Sequence, residues 1–438
     1  MPPPLFSVVI PTINRIEPLK LSIESILAQE CGDFECVIID NNTDDRLDGL
    51  CESFDDGRLR RVKTGGLSMA ANWDAALLAA QGQYVVLIED KKCLYGHALL
   101  VARDIIEKTG TELLVWGGDV VNDKDPASIR IGTSWGSRQL RTISTDEILD
   151  EFTLRDISRL KSKVGFFPKA FAVGCLSVVS KSLLDKIRAQ TGQPLCLPVN
   201  PDFTMGCHLV NHLSSYLLFD GSMTFVHSLQ TSTGGNWHSQ RKDVNNVWQT
   251  YGGQEIGYRH VPIKTIFIES QPFNDYLAMV ELVGGRLAQH PINWTMYYIV
   301  MYEHNARNHR EGFDRTEELK AWKDALNREP FALQRQVRWH LFRLALRRIF
   351  RKIRTKSGLR RLEQMLKGKR EKSSAAPVRK IVDVRDFLKQ ETARLRQIDM
   401  KNLKLAPAKP LAADSNREAG SMPEQGELFS TQERMTPP

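Results

Sequence analysis

FSVVIPTINRIEPLKLSIESILAQECGDFECVIIDNN, residues 6–42, holds two apolar runs, 6–11 and 34–39, on either side of a stretch with helical periodicity. Apolar runs this continuous are what strands covered on both faces require. Between them Pro18 stands in the first turn of a helix, and Leu19, Ile23, Ile26 and Leu27 follow at helical spacing. The pattern repeats outward. A weaker strand is predicted at 59–62, then a helix over 69–81 capped by Ser68 and ended at Gly82. A buried strand follows at 84–88 (YVVLI), a helix at 97–108 and a strand at 112–116. Strands alternating with helices imply right-handed crossovers and an α/β fold, a mostly parallel sheet flanked by helices in the Rossmann-like manner.

Beyond residue 118 the chain turns irregular and polar up to 165, with a short helix expected at 145–152. A strand-like run at 171–180, a helix at 182–190, a helix opening at Pro201-Asp202 and strands at 216–219 and 223–227 follow. From about 240 the reading is helical. Five regions result: 1–120, 121–240, a helical extension over 241–332, a basic amphipathic helix in 333–372, and 373–438, one further helix followed by a tail of disordered composition.

Charge separates these regions. The 438 residues carry +8, but 333–372 alone carries +13 (15 basic, 2 acidic) and 1–332 is net −7. A mildly acidic body argues against a nucleic-acid-binding fold. The seven cysteines are odd in number and show no CxxC spacing, as expected of reduced thiols rather than a disulfide framework or zinc site. No secretory leader and no membrane-length apolar run is read, so a cytoplasmic protein is expected, peripheral at most.

In an open parallel sheet, ligands bind at the carboxyl ends of the strands. Here those ends carry Pro11, Thr12, Asn14 and Arg15, then Asp40, then Glu89-Asp90-Lys91. Turn chemistry alone accounts for some of this polarity, since Asn and Asp favour turns. No G-x-G-x-x-G or Walker loop is present, which disfavours a dinucleotide or P-loop site.

FSVVIPTINRIEPLKLSIESILAQ, FECVIIDNNTDD and GLSMAANWDAALLAAQGQYVVLIED together resemble the nucleotide-sugar domain of family 2 glycosyltransferases, closely over residues 5–120. The segments 172–187, Pro201-Asp202 and 219–227 look like the acceptor-side half of that family. The resemblance implies the GT-A fold and an inverting transfer of a sugar from a nucleotide-sugar donor to a glycan or lipid-linked acceptor, of the kind used in bacterial surface polysaccharide synthesis. It also implies that Thr12 and Arg15 contact base and ribose, that Asp40 accepts a hydrogen bond from the base, and that Asn72 faces the nucleotide.

The family's metal motif puts carboxylates first and third after strand four, the third binding Mn²⁺ or Mg²⁺ on the diphosphate. Here the first is Glu89 and the third is Lys91, and a protonated Lys ligates no cation. Two routes stay open: Asp90 takes the metal with His227 as a distant ligand, or Lys91 compensates the leaving-group charge without metal. By the same resemblance Asp202 is the general base, with helix capping as its plain alternative. A non-catalytic nucleotide-sugar-binding or scaffold protein with a degenerate metal motif is the rival reading. In the basic stretch, Trp339, Phe342, Leu346, Ile349 and Ile353 form one stripe among arginines, which fits either core packing or an anchor on anionic membrane surface.

Overall fold

Strand β1 (Phe6–Thr12) is buried along its whole length and shows why the apolar run is unbroken. Phe6, Val8 and Ile10 point into one core layer and Val9 into the other. Strand β2 (Phe34–Asp40) divides the same way, Cys36 and Ile38 against Val37 and Ile39. The computed structural model describes residues 2–121, 129–130, 137–155, 168–198, 200–227, 254–265, 268–310, 314–356 and 384–405.

Helix α1 (Ile16–Leu27) links these strands. After α2 (Asp48–Glu52) come β3 (Leu59–Lys63), α3 (Met69–Ala79), β4 (Tyr84–Leu87), β5 (Lys92–Leu94), α4 (Ala98–Thr109) and β6 (Leu113–Val121). The Ser68 hydroxyl caps α3 by accepting from the Ala71 amide, as expected, but the helix stops at Ala79, short of Gly82. Then follow β7 (Ile129–Arg130), β8 (Leu140–Ser144), α5 (Thr145–Phe152), β9 (Ser177–Ser180), α6 (Lys181–Thr191), α7 (Pro201–His212) and β10 (Ser215–Val226). Strand β8 falls in a stretch read as loop. The two strands expected at 216–227 are one, with register shifts between Phe219 and Thr224.

The sheet runs β3-β2-β1-β4-β9-β6-β10-β5, with β7 on β6 and β8 on β10. Pairing is parallel from β3 to β4, as the alternation of strands and helices requires. Past β4 the sheet is mixed: β9 is antiparallel to both β4 and β6, while β6 and β10 are parallel. The chain leaves β1 toward β2 and β3, then returns to its other side with β4. The order thus reverses at the C-terminal end of β1, where such sheets bind ligands.

The C-terminal region adds α8 (Gln271–Val283), α9 (Gly285–Ala288), α10 (Trp294–Arg310), α11 (Thr316–Arg328), α12 (Phe331–Lys356) and α13 (Val384–Leu405). The extension expected at 241–332 is no separate layer. Phe273, Tyr276, Tyr297 and Trp322 share one core with Phe152, Phe171 and Phe203 of the sheet region. Helix α13 reaches back to the N-terminal half. Phe387, Leu388 and Leu395 pack with Cys93, Tyr95 and Phe225, and Leu403 joins the layer beneath α1 and α4. The tail after 405 lies outside the described residues.

Candidate active site

Thr12 ends β1, and its hydroxyl donates to Asp90 Oδ2 at 2.8 Å. Arg15, just ahead of α1, donates to Asp90 Oδ1 at 2.9 Å. The crevice between the β1 and β4 ends is therefore bridged by a buried carboxylate. Asn14 turns the loop with a left-handed backbone (φ 59°), which Asn tolerates better than most residues. Its amide donates to Asn42 Oδ1 at 2.9 Å, tying the loop after β1 to the loop after β2. Pro11 lies inside β1 opposite Ile39.

Asp40 is fully buried at the end of β2. Its Oδ1 accepts from the Asn42 amide (2.9 Å) and side chain (2.7 Å), and its Oδ2 from Arg61 (3.3 Å). It shapes the loop that would border a nucleotide. Asn72 is likewise buried: its Oδ1 accepts from Thr64 at 2.8 Å, which fastens α3 to the loop after β3. Both are residues for which a nucleotide contact is expected, and in the structure each also has protein partners. A side chain at a strand end satisfies the nearest loop donors first, and sequence gives no sign of which way it turns.

The end of β4 is organised around two lysines. Glu89 receives Lys91 at 3.1 Å and Lys92 at 2.9 Å. Burial pushes the Glu89 carboxyl up, but the charges of Lys92 and then Lys91 outweigh it and bring it down to about 2. Lys92, nearly buried, also donates to Cys175 Sγ at 2.8 Å, and the Cys175 thiol donates to Asp202 Oδ2 at 3.3 Å. Burial drives the Cys175 thiol far up, so it stands between the two as a neutral donor and acceptor. Burial, then the charge of Glu89, pushes the Asp202 carboxyl up, with Lys92 and the Cys175 hydrogen bond opposing. An Asp with a raised pKa is a stronger base than a free one.

Two glycines bring α7 this close. A Cβ on Gly206 would overlap the Ala172 carbonyl oxygen, and one on Gly174 would come within 2.6 Å of Met205 Sδ. Asn200, not Asp202, occupies the cap position of α7. Asp202 sits one residue inside the helix, and its Oδ1 accepts from the adjacent Phe203 amide at 2.9 Å. That bond satisfies a first-turn amide, while Oδ2 faces the Cys175 thiol.

The ligands named for a metal do not assemble a site. Both Asp90 oxygens are taken by Thr12 and Arg15. The His227 main chain is joined to the Lys91 carbonyl at 2.9 Å. Among the described residues no group of three or more His, Cys, Asp or Glu side chains is placed to hold an ion. Lys92 and Cys175 were not singled out from sequence. The double lysine after Glu89-Asp90 was the available signal for the first, and the second read only as an apolar thiol.

A sequence model described as Glycosyl transferase family 2 matches residues 7–188, from β1 into α6. The matched segment contains the β1 and β4 ends and Cys175, while Asp202 lies just beyond it. The chain is 23% identical over 201 residues to a glycosyltransferase, GlyG, of Streptococcus pneumoniae, covering 43% of this chain and 61% of that protein. It is 47% identical over 49 residues to a PGL/p-HBAD biosynthesis glycosyltransferase of Mycobacterium bovis, covering 11% of this chain and 19% of the relative. Residues 1–349 of Staphylococcus aureus TarS, solved with UDP-GlcNAc, align over 73% of this chain and 90% of that one, at 14% identity and a TM-score of 0.42.

Proposed function

We propose that the protein is an inverting glycosyltransferase. It moves one sugar from a nucleotide-sugar donor to a glycan or lipid-linked acceptor in bacterial surface polysaccharide synthesis. The observation that carries this reading is the contact chain Glu89–Lys92–Cys175–Asp202, which joins the donor end of a family 2 domain to the first turn of α7. Asp202 takes the proton of the acceptor hydroxyl. The freed oxygen attacks the anomeric carbon of the donor sugar while the bond from that carbon to the diphosphate breaks, its electron pair leaving with the nucleotide. One displacement inverts the anomeric centre.

Charge compensation at the leaving diphosphate falls to Lys91, with Lys92 behind it, since a cation is needed where negative charge develops and the third motif position holds a lysine. Thr12, Asn14 and Arg15 border the base and ribose, and Glu89 faces the ribose. The reaction is placed in the cytoplasm, at the inner face of the membrane if the acceptor is lipid-linked. No described helix is long and apolar enough to cross a membrane.

The test is a panel of nucleotide sugars offered to the purified chain, with product release followed in Mn²⁺ and in chelator. Turnover that survives chelation and falls at least about 100-fold in Asp202→Asn, the loss expected for a missing general base, supports the reading. Full activity in Asp202→Asn removes Asp202 from the mechanism. Donor binding without turnover would favour the scaffold reading.

A further inference from the structure

Helix α12 is apolar on two opposite sides. Leu333, Leu341 and Leu344, with fully buried Val337, pack against the core. At 3.6 residues per turn, Phe331, Trp339, Phe342 and Ile349 fall on the side away from that seam. All four are more than half exposed: 75%, 55%, 52% and 52%. Phe350 beside them is 66% exposed. The rings of Trp339 and Phe342 stack with centroids 5.8 Å apart, so the patch is preformed. Single exposed apolar residues need no explanation, but five on one side of one helix do.

Charge indicates what covers them. Residues 331–356 hold nine Arg or Lys and no Asp or Glu. Arg348 is drawn to Glu303 on α10, but Arg335, Arg338, Arg343 and Arg347 stand exposed around the apolar side. The adjoining residues 357–383 carry eight basic and three acidic side chains, the same sign as α12. An apolar stripe with aromatic rings and arginine flanks matches a boundary with apolar interior and anionic rim, the surface of an acidic bilayer.

We propose that the outer face of α12 docks on an anionic membrane surface. Trp339, Phe342, Ile349 and Phe350 enter the boundary between headgroups and acyl chains, and the arginines sit on lipid phosphates. The helix lies on the bilayer and does not span it. This inference rests on α12 alone: if Asp202→Asn leaves transfer intact, the catalytic reading fails and the docking surface stands.

The full chain is floated with phosphatidylglycerol–phosphatidylcholine vesicles and with phosphatidylcholine alone. Binding to the first and not the second is expected, weakening as salt is raised. Trp339→Ser with Phe342→Ser should weaken partitioning at least about tenfold while leaving the thermal melt unchanged, since both side chains are exposed. Arg338→Gln, Arg343→Gln and Arg347→Gln together should flatten the salt dependence. Equal flotation with both lipids, or unchanged flotation of the Trp339/Phe342 variant, overturns the proposal. So does sedimentation showing a dimer that this variant abolishes, because the face would then pair two copies of the chain.

Discussion

Cys175 is the smallest unit on which the proposed chemistry depends. Its thiol accepts from Lys92 and donates to Asp202, so removing it takes one stabilising donor from a carboxylate that burial already pushes up. A base must be ionised, so activity should fall as pH drops through the raised pKa of Asp202. Cys175→Ala should move that acid limb of kcat/KM to higher pH, whereas Cys175→Ser, which keeps a donor, should leave it near the native position. Identical profiles for both would show that the contact does not tune Asp202. Glu89 has the opposite sign. Its folded value of about 2 lies below its ordinary 4.5, so its ion pairs stabilise the fold fully above about pH 4.5 and are lost as pH falls toward 2. Urea unfolding of Glu89→Gln should be flatter with pH across that interval. Asp40→Ala should cost about 1–3 kcal/mol in the same measurement, because Asn42 loses the acceptor of two hydrogen bonds. An unchanged midpoint would mean that the loop after β2 is held by other contacts.

At the scale of elements, α13 is the least expected component. Its composition announces a helix, but not the partner it packs on. Fully buried Asp399 meets His97 Nε2 at 2.8 Å and pairs with Arg138, so the helix closes on a buried polar triad inside the N-terminal half. The Gly96 amide donates to Thr392 Oγ1 at 3.0 Å, and Arg385 and Arg396 reach Glu24 and Glu30 on the surface. Removing one partner from a buried charge cluster strands the others. Asp399→Ala should therefore destabilise the protein by about 3–5 kcal/mol, seen as a lowered urea midpoint. A change below about 1 kcal/mol, the size of an exposed pair, would show that water reaches the triad. The stripe on α12 illustrates the same limit. Periodicity identified the apolar residues correctly, but a helix with two apolar sides can bury only the one its neighbours reach.

For the whole molecule, the chain ends matter to the core. Deleting residues from 384 onward should uncover Cys93, Tyr95 and Phe225 and leave His97 and Arg138 without their anion. Such a chain should melt lower and aggregate even though every strand of the sheet is retained. A soluble fragment with the native melting temperature would show that α13 is an accessory. The packing of α13 also makes point substitutions on α12 the better probe of docking than truncation.

The N-terminal alternation, the strand ends and the likeness to a glycosyltransferase domain were all legible in the sequence, because buried parallel strands and amphipathic helices leave short-range patterns. The run at 6–11 and the polar residues after it sufficed to locate the crevice. The mixed pairing beyond β4, the protein partners of Asp40 and Asn72, and the meeting of Lys92, Cys175 and Asp202 were decided only in three dimensions. Those contacts join residues 83 and 27 positions apart through a sheet and a close helix packing permitted by two glycines. Periodicity records which side of an element is apolar. It does not record which distant side chain supplies the opposing charge, because that is fixed by how the layers pack.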